Sequence, residues 1–532
     1  MTMGVLRNCL LALLLLNAHA AVADVLVFGS FRSQSNAENW ARRLAATFGS
    51  EIIVHRILQS ETTWYRVQSS EVSGEPLERL AAQASTAGVR YWRITAKQEV
   101  QTSRVDPPGD APRLAPPTRV SNVAVASIDT GSLDADGFEP IDSSYQTLEW
   151  DFSLETRLFS DHGIMGQDRY QASLAIAPEF YRAWDDDRQS FTLAPFLRID
   201  SADDERTHGD IREMFYTRVG EDWDLHIGAK RVFWGVTEFH HLIDIVNQTD
   251  VLENIDGEDK LGQPMLQLSL VRDWGILDLY ALTGFRPREY PSLDGRFNVP
   301  IRVADRETYE SGREDERVDL AARWSHHMGP LELGIHHFSG TSREPLFDVT
   351  LDAGGTPRLI PHYPIIEQWG VDAQAIHGDW AVKLEGLYRS GFGTSYHAFN
   401  VGLERTLVGI LGTSANLGVV LEYMYDERKR DAFNTLFERD VALGGRLQMN
   451  DFSNTQALLG LIVDTENEDY AVSLEASREL SPTWLLVVEG RLFGGGEKLN
   501  TANLINAITH PDFKGAWLKQ DDYLQIEIKK FL

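Results

Sequence analysis

The sequence predicts an all-β transmembrane barrel, antiparallel and of about 16–18 strands, behind a small α+β domain with a βαββαβ order of elements. Three observations predict it. From Tyr145 to Leu532, apolar and polar residues alternate with period two in segments of about ten residues, as a strand needs when one face meets lipid and the other a polar lumen. No stretch reaches ~18 consecutive apolar residues, so helical membrane spans are not expected. The connections also sort by parity. Counted from the first segment, the even-to-odd connections are short: 220–222, 273–274, 327–330, 377–379 and 480–482. The odd-to-even ones include every long one, 233–263, 285–317, 340–365 and 494–521. Short turns on one side and long loops on the other are how such barrels are arranged, and a wrong register would scatter the long loops over both.

Composition sets the outer bounds. The 532 residues carry 50 Lys or Arg against 79 Asp or Glu, a formal net charge of -29, which argues against a nucleic-acid partner. Residues 1–23 read as a secretory signal: Arg7, the apolar run Leu10 to Leu16, then Ala18-His19-Ala20 and Ala21-Val22-Ala23 as small-residue cleavage patterns. The chain's single cysteine, Cys9, falls inside it, so disulfides and cysteine chemistry are not expected beyond the leader.

Residues 24–95 read as strand, helix, strand, strand, helix, strand. Val25-Leu26-Val27-Phe28 is the first strand, and Ala37, Trp40, Ala41 and Leu44 make one helical face. Ile52–Ile57 and Trp64–Gln68 flank a polar turn, Leu77, Leu80 and Ala84 make the second helical face, and Val89–Ile94 ends the unit. On Phe28-Gly29-Ser30-Phe31, Asn36-Ala37-Glu38 and Trp64-Tyr65-Arg66-Val67, this segment resembles the sporulation-related repeat, or SPOR, domain. That resemblance implies a periplasmic domain that binds peptidoglycan strands stripped of their stem peptides. Arg66, Gln68 and Tyr91 on the sheet are then the candidate glycan contacts. The chain departs from the family at Val27, where Gln is usual, and at Ser69-Ser70-Glu71 in place of Gly-Pro-Phe.

Residues 96–144 hold Pro107-Pro108, Pro112 and Pro116-Pro117 and an acidic stretch from Asp134 to Asp142, the composition of a semi-extended spacer. The barrel is expected over 145–532. Leu148, Trp150, Phe152 and Leu154 open it, and Leu524, Ile526 and Ile528 close it. Phe531-Leu532 is similar to the terminal signal that barrel assembly machinery reads. Asp210-Ile211-Arg212-Glu213, Trp234-Gly235-Val236 and Ile243-Asp244-Ile245-Val246-Asn247 resemble a family of large outer-membrane barrels with no settled activity.

A barrel of this strand number is wide enough for an aqueous channel unless something fills it. Alternation turns Arg212, Arg218, Asp224, His226 and Lys230 toward the lumen. In the connection 233–263, Leu242-Ile243-Asp244-Ile245-Val246 is too apolar for a solvated tip, which makes it a candidate constriction loop, or else a segment packed over the rim. His240-His241, His326-His327 and His336-His337 are poor chelators, because adjacent strand residues point to opposite faces. No Ser, His and carboxylate spacing singles out a triad, so no catalytic residue, metal or cofactor is expected.

The expectation is an outer-membrane channel or transporter for solutes or lipidic substrates, with peptidoglycan and outer-membrane lipids as partners. A closed-barrel tether between membrane and wall is the alternative, and an outer-membrane hydrolase the third reading.

Overall fold

The computed structural model describes residues 144–532 apart from 299, 429–436, 505, 507–512 and 514. Of the N-terminal region it describes four strands and a few helical residues. The strands are β1 (Val22–Phe31), β2 (Ile52–Gln59), β3 (Thr62–Ser69) and β4 (Trp92–Lys97), all antiparallel in the order β2-β3-β1-β4. Ala41, Leu44 and Phe48 are helical and buried, as is Leu80, and Leu26 and Val67 are fully covered from the sheet. Two boundaries differ from expectation. Strand β1 begins inside the expected leader, and β4 runs three residues later than Val89–Ile94. Both follow from the ladder that sets Val22 opposite Lys97 and Val27 opposite Trp92.

Eighteen strands then close one barrel. They are β5 (Tyr145–Phe159), β6 (Tyr170–Trp184), β7 (Gln189–Asp200), β8 (Gly209–Val219), β9 (Trp223–Lys230), β10 (Gln263–Arg272) and β11 (Gly275–Leu282). After the short β12 (Arg302–Val303) and β13 (Thr308–Tyr309), which lie outside the ring, come β14 (Asp319–Met328) and β15 (Leu331–Thr341). Two more strands outside the ring follow, β16 (Leu346–Leu351) and β17 (Pro357–Tyr363), and join β12 and β13 in a small sheet. The ring resumes with β18 (Ile365–His377), β19 (Trp380–Ser390), β20 (Tyr396–Leu407), β21 (Asn416–Asp426) and β22 (Arg439–Gln448). It ends with β23 (Gln456–Asp464), β24 (Tyr470–Ser481), β25 (Trp484–Gly494) and β26 (Tyr523–Phe531). Closure is by β26 on β5, with Tyr523 opposite Phe159 and Phe531 opposite Asp151. His327, expected in a turn, is the last but one residue of β14.

The physical reason for closure is visible in the two faces. Outward residues are apolar and exposed: Leu154, Leu174, Ile199, Leu320, Leu421 and Ile526 among them. Their inward neighbours are polar and buried, such as Glu155, Ser173, Arg198, Asp319, Glu422 and Gln525. A closed ring leaves no strand edge, so each inter-strand N–H and C=O finds a partner without water. Trp150, Trp274, Trp380 and Trp484 are exposed near the rim with short turns; Tyr170, Trp369, Tyr388 and Tyr470 are exposed toward the other rim, as interfacial aromatic girdles are. Both chain ends of the barrel sit at the turn rim, where Trp150 and Leu532 exchange two backbone hydrogen bonds of 3.0 Å. The long connections 231–262, 283–318, 342–364 and 495–522 all leave from the opposite, loop rim. Among the described residues no helix is long and apolar enough to cross a membrane.

Candidate functional site

The lumen is where the barrel can act, and residues 231–262 occupy it. This loop leaves β9, crosses the interior and returns to β10. Asn247 fastens its two limbs: the amide donates to the Lys230 and Leu261 carbonyls at 2.8 and 2.9 Å, and its oxygen accepts from the Val232 N–H at 2.8 Å. The apolar segment Leu242–Val246 does not hang in the channel. Ile243, Ile245 and Val246 are buried with Trp234 against Met265, Leu282, Phe338, Ile366 and Leu387 on the inner wall of β10 to β19.

Deeper in, the loop's polar backbone meets carboxylates of the wall. Glu385 on β19 is fully buried and accepts from the Val236 and Thr237 N–H groups at 2.6 and 2.9 Å. It also accepts from the Thr237 hydroxyl at 2.7 Å and the Ile243 N–H at 3.3 Å. Glu422 on β21, equally buried, accepts from the Glu238 and Phe239 N–H groups at 2.7 and 3.0 Å. Between these anchors the Phe239 ring lies on Gly444 and Gly460, which sit mid-strand in β22 and β23. A Cβ at either glycine would come within 2.5 Å of that ring. Glycine inside a strand here marks a close approach of another group. Gly460→Ala is therefore expected to lower stability by roughly 1–3 kcal/mol through overpacking. Thermal melting in detergent checks it, and adding Phe239→Ala restores the loss only if the ring is the cause.

The opposite wall holds the loop by charge. Arg198 on β7 donates to the Glu253 carboxylate at 2.6 to 3.0 Å, and Arg206 gives its Nε to the Leu252 carbonyl at 2.8 Å. Arg157 on β5 reaches the Glu253 carbonyl at 2.8 Å, and Arg491 on β25 pairs with Asp256 at 3.0 Å. Beneath them, Glu155 gathers Arg157, Arg198 and Arg206 at 3.0, 3.1 and 2.9 Å. Charges this deep persist only when mutually paired and hydrogen-bonded. Every one of these arginines is.

Of the lumen residues expected from alternation, four face inward. Arg212 pairs with Asp250 of the loop at 2.7 Å, Lys230 donates to Gln267 at 2.9 Å, His226 meets Thr217 at 2.9 Å, and Asp224 lies opposite the buried Ser269. Arg218 does not. Ala194 pairs with Glu213 and Pro195 with Ile211, so Arg212 is an extra residue in the ladder and the parity of β8 reverses beyond it. Arg218 consequently pairs with Leu225 and shares the outward face with the exposed Met214.

On the small domain, Arg66 and Gln68 lie half-buried on one face of β3, opposite the buried Val67 and Ser69; Tyr91 falls outside the described residues.

Sequence reasoning missed Glu385, Glu422 and Glu155. Alternation does turn them inward, yet nothing local says which loop group they receive. It also missed His208 beside Asp250 and Glu253, a trio with the ligand-atom spacing a metal ion needs. Arg212 and Arg198 already balance those two carboxylates. His208 Nδ1 donates to the Arg206 carbonyl at 3.0 Å, which leaves Nε2 facing Asp250 and Glu253 at 3.7 and 3.6 Å. Burial lowers the His208 pKa, but these neighbours outweigh it and raise the value, which favours the protonated ring facing the loop's two carboxylates.

Residues 25–95 match the SPOR domain family. No curated protein matches the chain. Among solved structures, OprB of Pseudomonas putida is 11% identical with a TM-score of 0.38, over 73% of this chain and 94% of that one. OccK3 (OpdO) of Pseudomonas aeruginosa is 10% identical with a TM-score of 0.41, over 73% and 96%. Wzi of Escherichia coli, described as a carbohydrate-binding β-barrel involved in capsule assembly, is 10% identical with a TM-score of 0.41, over 72% and 84%. The barrel assignment itself rests on the strand pairing. The chain joins a SPOR domain at residues 25–95 to a closed 18-stranded antiparallel barrel built like those of the outer membrane.

Proposed function

We propose that this chain is an outer-membrane channel for small hydrated solutes, whose SPOR domain holds peptidoglycan on the periplasmic side. One observation carries the channel reading: a polar lumen crossed by an inward loop that leaves open space on both of its flanks. The charged lining of that space suits hydrated solutes better than lipidic ones. The outward apolar belt supports placement among outer-membrane lipids, and the SPOR match supports the wall contact. No catalytic role is part of the proposal.

Single-channel conductance of the mature protein in planar bilayers tests it, with and without residues 24–144. Conductance in both forms supports an open pore with an anchoring small domain. Conductance only after truncation supports gating by the periplasmic part. Silence in both sinks the channel and favours the second reading, a closed tether. The specific observation in favour of that second reading is the density of buried hydrogen bonds from Glu385 and Glu422 to the loop. Sedimentation of the intact chain with peptidoglycan sacculi tests the wall contact, and failure to co-sediment would remove it.

A further inference from the structure

The loop divides the lumen unevenly. One space lies between it and the inner wall of β26, β5, β6 and β7, reaching toward the turn rim at Asp151, Ser153 and Lys529. A recess sharing Asp151, Glu253 and Asp259 with that space adds Glu149 and Glu179, which face each other across β5 and β6. The other space lies between Phe239, His241 and Asp256 of the loop and the wall of β22 to β25, and reaches Trp517 and Lys519 at the loop rim. The two spaces flanking the loop are about 220 Å³ each, room for several water molecules. Glu258 lines both of them. Its carboxylate borders both, with His241 Nε2 3.8 Å away.

Charge along this route is lopsided. Fifteen carboxylates line the three spaces against eight Lys or Arg. Asp256, Glu258 and Asp259 fall together in one stretch of loop, with Arg491 paired to Asp256 and Lys260 next in the chain.

We propose that the route past Glu258 is a cation path, along which small hydrated cations cross the barrel while anions are excluded. This rests on the channel reading and names its substrate class. The physical basis is that a net excess of carboxylates over cationic side chains in a narrow, poorly solvated passage lowers the entry barrier for a cation and raises it for an anion.

The loop's acids behave accordingly. Burial pushes Asp256 up to about 7, with Glu258 of the loop, Glu489 of β25 and Glu475 of β24 adding to the rise and Arg491 of β25 opposing it. Asp259 is likewise pushed up to about 7 by burial, with Glu253, Asp256 and Asp250 adding to it and Arg212 of β8 opposing. Groups raised this way are charged above that value and neutral below it. A passing cation takes the place of the proton, and the preference for cations strengthens as pH rises through neutrality.

The test is the reversal potential of the full-length protein in planar bilayers under a steep KCl gradient, at about one unit above and one unit below the pKa of these two acids. The expected result is displacement to the potassium side, larger at the higher pH. Glu258→Gln together with Asp259→Asn moves the higher-pH value toward zero, with melting in detergent run beside it to show that the barrel is intact. Open channels reversing at zero or on the chloride side overturn the cation path alone, as does an intact double variant that keeps the full displacement. Absence of any open channel overturns the channel reading and this one with it.

Discussion

Replacing Glu385 and Glu422 with alanine frees the crossing loop and raises single-channel conductance severalfold, while the barrel stays closed. The two carboxylates, both fully buried, together accept five loop N–H groups and one hydroxyl. A hydrogen bond to a charged acceptor contributes about 1.5–3 kcal/mol, and donors stripped of their acceptor in a buried setting become a further cost. Loss of either carboxylate therefore outweighs the modest entropy of holding one loop segment, and the segment around Val236–Phe239 leaves the wall. The ring of strands does not depend on these contacts, because its ladder hydrogen bonds run between neighbouring strands. Conductance in planar bilayers reads the change, and limited proteolysis within 231–262 reports the release independently. Unchanged conductance with a released loop would mean that the loop is not the constriction. Glu385→Gln is expected to fall between, since it keeps one acceptor oxygen but turns an NH2 toward a donor.

The second large effect is expected at Glu155. Glu155→Ala leaves Arg157, Arg198 and Arg206 converging on an empty site, each almost wholly buried. Breaking a buried ion pair from one side costs about 3–5 kcal/mol, because the remaining charge is neither solvated nor paired. Here three guanidiniums share the loss, relieved in part by Glu253, Asp200 and Gln525. Thermal unfolding in detergent followed by circular dichroism measures it. The double variant Glu155→Ala, Arg206→Ala is expected to recover part of the lost stability, as coupled neighbours do. Strict additivity of the two losses would show that the pair does not interact.

Each of these experiments turns on a partner that could not be named from the residues around it. Alternation shows that Glu385 and Glu155 face inward between outward Leu384 and Leu154, since successive strand side chains point to opposite faces. It is silent on what stands opposite them across the lumen. The apolar run Leu242–Val246 announces that the loop needs cover, whereas the seat against Met265, Leu282 and Phe338 follows only from where β10, β11 and β15 lie in the ring. Gly444 and Gly460 likewise signal a close approach without saying that Phe239 makes it. Arg218 shows how a purely local rule fails: one extra residue in β8 reverses the faces beyond it, and no pattern in β8 alone announces the insertion.

By itself the sequence determined the strand ring, its sidedness, the rim from which each long loop leaves and the small domain in front of it. Those depend on short-range periodicity and on the need to satisfy backbone polar groups where water is absent. The filling of the lumen was decided by the tertiary structure alone. Ring closure brings Glu385 beside Thr237 and Arg491 beside Asp256, residues more than a hundred positions apart, and only that closure sets which carboxylates are neutralised by arginine and which remain in excess along the route past Glu258.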